Sequence, residues 1–191
     1  MRGWIHKRAE RKFHFGKKVQ IAVSLFLLLL LSCSFATPAQ EEDEEYNLKA
    51  AFIYKFTNYI EWGAPSSDHE FVIGIVGSSP ISKQLIEIAK TKTVKNKKIV
   101  IRQFNKLEDI GPCQILFIPQ KTPIRLDDIL AKTAGKGTLI ISEKAGYAKK
   151  GTGINFIEVD NNLKFEANAK GISAAGLKAS SQLLKLAIIV D

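Results

Sequence analysis

Beyond residue 36, this chain holds few side chains able to make or break bonds: His69 is its sole histidine and Cys113 its sole cysteine. His69 sits in the polar loop Ser66-Ser67-Asp68-His69-Glu70, just before an apolar run, as a solvated loop histidine does. A Cys–His nucleophilic pair would need these two to meet, and nothing in their spacing suggests it. There is no H-E-x-x-H and no CxxC, and a metal site needs several converging ligands, so no metal is expected. Gly171-Ile172-Ser173-Ala174-Ala175 departs in its last residue from the G-x-S-x-G of a nucleophile elbow. Asp127-Asp128 and Glu108-Asp109 are adjacent in sequence, which does not aim two carboxylates at one substrate. Gly77-Ser78-Ser79 follows a strand-like run and precedes a helical one, where α/β folds hold anions. It lacks both G-x-G-x-x-G and a lysine after a glycine loop, so a plain strand-to-helix turn is the competing reading. The residues favour a binding or regulatory module over an enzyme, with no cofactor.

The amino terminus sets the compartment. Seven basic residues against Glu10 lie in Met1 to Lys18, followed by an apolar run from Val19 to Leu31 and small residues at Ser34-Phe35-Ala36. That order is a secretory signal, residues 1–36, with cleavage after Ala36. The apolar run falls short of the ~20 residues that span a bilayer. Lipid attachment at Cys33, in Leu30-Leu31-Ser32-Cys33, is the alternative processing. Removal of the signal leaves 21 basic and 18 acidic residues from the original 28 and 19. The basic excess therefore belongs mostly to the signal, and a nucleic-acid partner, which needs a basic patch on the folded part, is not expected. Lys92, Lys95, Lys97 and Lys98 cluster, but in what reads as a solvated link before a strand. One cysteine cannot form an internal disulfide, and Cys113, between Pro112 and an apolar strand, reads as a small packed hydrophobe.

The elements that position these residues follow from periodicity. Residues 37–45 form an acidic, flexible lead. Tyr46 to Trp62 contains no Gly or Pro and reads as a helix, with Leu48, Phe52, Phe56 and Tyr59 on one stripe and Ala50, Ile53 and Ile60 on another face. Apolar cover this wide means burial from two sides or sharing with a partner. Phe71 to Val76, Lys98 to Phe104, Gln114 to Ile118 and Thr138 to Ser142 are short apolar runs of strands covered on both faces. Helical patterns lie between them at Ile81 to Ala89, with Ser79 as cap and Pro80 first in the helix, and at Pro123 to Ala134. Gly153 to Val159 and Leu163 to Ala167 flank Asp160-Asn161-Asn162 as a hairpin. A long helix from about Asn168 to Val190 closes the chain, its middle narrowed by Ala174, Ala175, Gly176, Ser180 and Ser181. The expectation is a single layered α/β domain over 46–191, a mostly parallel mixed sheet flanked by helices.

Lys49-Ala50-Ala51-Phe52-Ile53-Tyr54-Lys55-Phe56 running to Glu61-Trp62 resembles the opening helix of the YfiR family. Cys113-Gln114-Ile115-Leu116-Phe117-Ile118, Gly153-Ile154-Asn155-Phe156, Phe165-Glu166-Ala167-Asn168, Ala175-Gly176-Leu177-Lys178 and Ser180-Ser181-Gln182-Leu183-Leu184 resemble it in the same order and spacing. The resemblance implies a periplasmic α/β protein without catalytic activity that represses a membrane diguanylate cyclase through its periplasmic sensor region, lowering cyclic di-GMP and biofilm formation. It also implies a homodimer, an outer-membrane lipoprotein as a second partner, and sensor kinases as alternative receptors. The family's cysteine pairs are absent here, so its redox control does not carry over. Tyr46, Phe52, Tyr54, Tyr59 and Trp62 are then candidate partner anchors, if they are not simply core. Should the protein instead sense a small molecule, Gly77, Ser78 and Ser79 are the first residues to contact it, with Asn155, Glu166 and Asn168 as a second polar group.

Overall fold

Phe71 to Val76 lies at the centre of the fold, and its unbroken apolar side chains are buried on both sides of a sheet. A computed structural model describes residues 38–63 and 69–190, with side chains from residue 41. The signal reading of residues 1–36, and Cys33 with it, lies outside the described residues.

Helix α1 (Pro38–Phe56) leads by a turn into β1 (Ile60–Glu61), then β2 (Glu70–Val76), α2 (Ile81–Thr91), β3 (Thr93–Val94), β4 (Lys97–Phe104) and β5 (Ile115–Ile118). There follow α3 (Leu126–Thr133), β6 (Leu139–Ser142), a short 3-10 turn (Ala148–Lys150), β7 (Ile154–Val159) and β8 (Asn162–Asn168). The chain closes with α4 (Ala169–Ala174), β9 (Lys178–Ala179), α5 (Ser181–Leu186) and β10 (Ile188–Val190). Eight strands form one sheet in the order β10-β8-β7-β6-β5-β2-β4-β3, while β1 and β9 form a separate antiparallel pair. Neighbours in the large sheet are parallel except at β7–β8 and β3–β4. The expected single α/β domain with a mostly parallel sheet and a late hairpin is what Glu42 onward forms.

Alternation along β2 sorts the core into two layers. Phe71, Ile73 and Ile75 face one side with Ala50, Ile53 and Phe56 of α1 and Ile81 and Leu85 of α2. Val72 and Val76 face the other with Leu126 and Ile129 of α3, Phe104, Leu116 and Tyr147. The chain moves outward from β2 to β4, then returns to the opposite side of β2 at β5, which puts a topological switch point at the carboxyl ends of β2 and β5.

Three expectations need correction. The acidic lead is not free chain, since the helix starts at Pro38; it also ends at Phe56 rather than Trp62. Glu-rich sequence suits a helix, while Thr57 Oγ1 donates to the Tyr54 carbonyl at 2.6 Å and tight turns follow through Tyr59. The polar link carrying Lys95 is a hairpin: Lys95 and Asn96 take φ of 49° and 65°, the two positive values of a type I′ turn.

The long closing helix is the third. It breaks at Gly176, whose φ of 80° lets its N–H donate to Ser173 O and that of Leu177 to Ile172 O. This glycine stop satisfies the last carbonyls of α4. Ser180 Oγ then accepts from the Leu183 N–H and caps a fresh helix. Between them β9 pairs with β1, which no helix could do.

Candidate functional site

All five aromatic candidates lean on the core. Phe52 sits 5.9 Å from both Phe56 and Phe165, ring centre to ring centre, and 6.2 Å from Phe156. Tyr46, Tyr54 and Trp62 are half-buried, and each commits its polar end to a bond within the chain, that of Tyr54 in an exposed position. Tyr46 Oη donates to Glu143 at 3.2 Å, Tyr54 Oη to the Thr93 carbonyl at 3.3 Å, and Trp62 Nε1 to the Gln114 carbonyl at 3.1 Å. Trp62 also meets Phe71 edge to face at 5.2 Å. Tyr59 is half-buried too, and its carbonyl accepts from Ser180 N.

Among the described residues the large apolar side chains left in solvent are aliphatic: Leu48 on α1 (47 % exposed), Ile86 on α2, and Leu186, Ile188 and Ile189 (50 % exposed) in α5 and β10. β10 is the outermost strand of the sheet. Its Ile189 stands opposite Ala167 on β8, in the alternation of Phe165, and so on the face that α1 covers. Sequence periodicity overlooked this patch, because Ile188 and Ile189 read there as part of a packed helix.

Beneath α1 lies a charged cluster that was also missed. Lys49 Nζ is 2.5 Å from Glu143 Oε2 and 2.6 Å from Glu45 Oε1. Glu143, placed just past the carboxyl end of β6, also accepts from the Gln120 N–H at 3.0 Å. The side chains of Lys49 and Glu143 are almost wholly buried, whereas Glu45 is half in water. Burial opposes the charge on Lys49, but hydrogen bonds to Glu143 and Glu45 outweigh it and hold the ammonium above its ordinary value. Tyr46 is raised too, by burial first and by the Glu143 charge next. The one clue in the sequence is the i, i+4 spacing of Glu45 and Lys49. An isolated acid after a strand gives no sign of Glu143.

The small-molecule candidates lie on separate elements. Gly77, at φ 68°, lies at the switch point, and its N–H already donates to the Phe104 carbonyl at 2.8 Å. Helix α2 starts at Ile81, one residue later than expected: Pro80, with helical angles, holds the cap position without a side-chain cap, and Ser79 Oγ accepts only a long 3.4 Å bond from the Ile81 N–H. Ser79 is buried and Ser78 exposed. Asn155 and Glu166 are brought together across β7 and β8, Nδ2 to Oε2 at 3.1 Å, and the buried Oδ1 of Asn155 has no hydrogen-bond partner among the described residues. Asn168 is separately engaged: its Oδ1 caps α4 through the Gly171 N–H, and its Nδ2 donates to the Ala148 carbonyl. Cys113 is buried as expected of a packing residue, and burial pushes its thiol up to about 11. Among the described residues no three His, Cys, Asp or Glu side chains gather as metal ligands.

A family model described as YfiR/HmsC-like matches residues 46–188. The chain belongs to this family. The match starts at Tyr46 in α1 and runs into β10, so it takes in both the buried Lys49–Glu143 cluster and most of the exposed aliphatic edge. Comparison with curated proteins finds no match. Among the described residues of this YfiR/HmsC-like chain, no helix is long and apolar enough to cross a membrane.

Proposed function

We propose that this protein is a periplasmic regulator that represses a membrane-bound diguanylate cyclase by occupying the cyclase's periplasmic sensor region. The match to the YfiR/HmsC-like model over residues 46–188 carries this reading, and the secretory order of the first 36 residues supports the compartment. The contact surface we assign is the outer side of α1 with the neighbouring sheet edge, where Leu48 and Ile189 stay exposed. Tyr46 and Phe52 give that side of α1 a firm base, Tyr46 tied to Glu143 and Phe52 packed on Phe56 and Phe165. Apolar side chains on a firm base suit a protein–protein contact, because little entropy is lost on docking.

The test is cyclic di-GMP in cells carrying Leu48→Glu or Ile189→Glu at normal secreted level and melting temperature. Both variants are expected to raise it to the level of cells lacking the protein. If deleting the gene leaves cyclic di-GMP unchanged, the regulator reading is lost. If deletion raises it and neither variant does, the surface is elsewhere.

A further inference from the structure

A cavity of about 490 Å³ opens at the amino-terminal edge of β6 and β7, between α3, α4 and the 3-10 turn. We propose that it binds a small amphipathic anion, a single-chain carboxylate with an apolar tail. The volume lies within the range of sites for small organic ligands. Leu130, Ile140, Ile172 and Ala174 give it an apolar lining. Its uncharged polar side chains are already committed within the protein: Thr133 Oγ1 donates to the Ile129 carbonyl, Thr138 Oγ1 to that of Cys113, and Asn168 is bonded at both ends of its amide. A sugar or a peptide backbone would find few partners there.

Charge supplies the other half of the recognition. Lys149, Lys150 and Lys170 line the cavity, all three exposed, and no acidic residue lines it. None of the three is in an ion pair among the described residues; Lys150 alone has a neighbour of note, the Tyr147 ring at 5.9 Å. Their convergence is built into the backbone. A Cβ on Gly171 would stand 2.7 Å from the Gly151 carbonyl oxygen, so glycine there lets α4 seat against the turn after the 3-10 helix. That contact draws the lysines preceding each glycine, Lys150 and Lys170, to one rim. An apolar chamber with a cationic mouth matches a ligand whose body is hydrocarbon and whose head is a carboxylate. This binding does not depend on the repressor reading and is measured without the partner.

Calorimetry and thermal shift on the secreted chain would use decanoate below its micellar concentration. Acetate and decyltrimethylammonium serve as controls, the first lacking the tail and the second reversing the head charge. Decanoate is expected to bind and raise the melting temperature, and the controls to do neither. Lys150→Gln combined with Lys170→Gln is expected to weaken decanoate about tenfold without changing the unliganded melting temperature, as two exposed ion contacts would. Ala174→Trp, filling the chamber, should abolish binding. Equal responses to decanoate and decyltrimethylammonium, parental affinity in the lysine variant, or no decanoate binding would each overturn the proposal. The lysine variant lies on the surface and decides the matter even if Ala174→Trp fails to fold.

Discussion

Replacing Lys49 with methionine keeps the length of the stem along α1 but removes the ammonium 2.5 Å from Glu143. The Glu143 side chain is 4 % exposed, so water cannot take over. Breaking a buried pair by removing one partner costs about 3–5 kcal/mol. Glu143 would keep the Tyr46 hydroxyl at 3.2 Å and the Gln120 N–H at 3.0 Å, which places the loss near the lower bound, about 3 kcal/mol. The reverse change, Glu143→Gln, leaves Lys49 with Glu45 at 2.6 Å and should cost less, about 1–2 kcal/mol. With both changes no unpaired charge remains buried, and the double variant should be more stable than the sum of the singles by about 2 kcal/mol. Urea unfolding followed through Trp62 fluorescence measures this, since the indole is packed edge to face on Phe71. With a urea slope of roughly 2 kcal/mol per molar, Lys49→Met should lower the midpoint by about 1.5 M. A fall under about 0.5 M, or strict additivity in the double variant, would refute the assignment of this pair as the clamp between α1 and the carboxyl edge of the sheet.

Two further outcomes follow from buried groups. The Cys113 thiol, held protonated by burial against weaker opposing pulls from Thr138 and Gly74, has its folded value raised from 9.0 to about 11. Its contribution is then complete below the unfolded value and disappears as pH rises through the folded one. Stability should fall by about 2–3 kcal/mol between about pH 9 and 11 on this account, and Cys113→Ala should flatten that part of the curve. The raised values of Lys49 and Tyr46 act in the same direction and remain in the variant, so the difference between the two curves isolates the thiol; identical slopes would refute the effect. In the centre of β2, a Cβ on Gly74 would lie 2.6 Å from Phe104 Cε2 and 3.0 Å from Leu116 Cδ1. Gly74→Ala should cost about 1–3 kcal/mol by overpacking in urea titration, with part returned by Phe104→Leu; an unchanged midpoint would refute the overpacking.

The strands that cross the middle of the sheet were readable because burial on both faces leaves a continuous apolar run, as in Phe71 to Val76 and Ile115 to Ile118. The start of α2 was readable to within one residue because Ser79 and Pro80 act on their own neighbours. So was the late hairpin, where Asp160 and Asn161 take the positive φ values of 51° and 57° that its turn requires. What failed was long-range or very short. Two-residue strands such as β1 and β9 carry no periodicity, and their pairing joins distant stretches of sequence. In the closing segment the apolar spacing of Leu177, Leu183, Leu184 and Ile188 imitated a helix. The local punctuation, Gly176 followed by Ser180, contradicted it and proved stronger, as backbone signals do when they satisfy hydrogen bonds that a continuous helix would otherwise supply. Glu143 was invisible because its burial is imposed by α1, a helix nearly a hundred residues earlier (|i−j| of 94 for its contact with Lys49).

The aromatic residues of α1 show why composition alone could not separate core from interface. A helix apolar on several sides either sinks into the protein or faces a partner, and here its positions divide. Ala50, Ile53 and Phe56 are buried, Phe52 bridges to the sheet aromatics, and Leu48 is left outside. Tyr46, Tyr54 and Trp62 have given their only side-chain donors to Glu143, Thr93 and Gln114, so a partner receives no hydrogen bond from them without breaking one within the chain. Loss of repression after truncating any of the three therefore reports on internal packing as much as on contact with the partner. Only side chains that are exposed and structurally idle can separate the two effects. Leu48 and Ile189 meet that condition: neither belongs to the buried core, and placing a charge there disturbs docking while the aromatic base beneath stays intact.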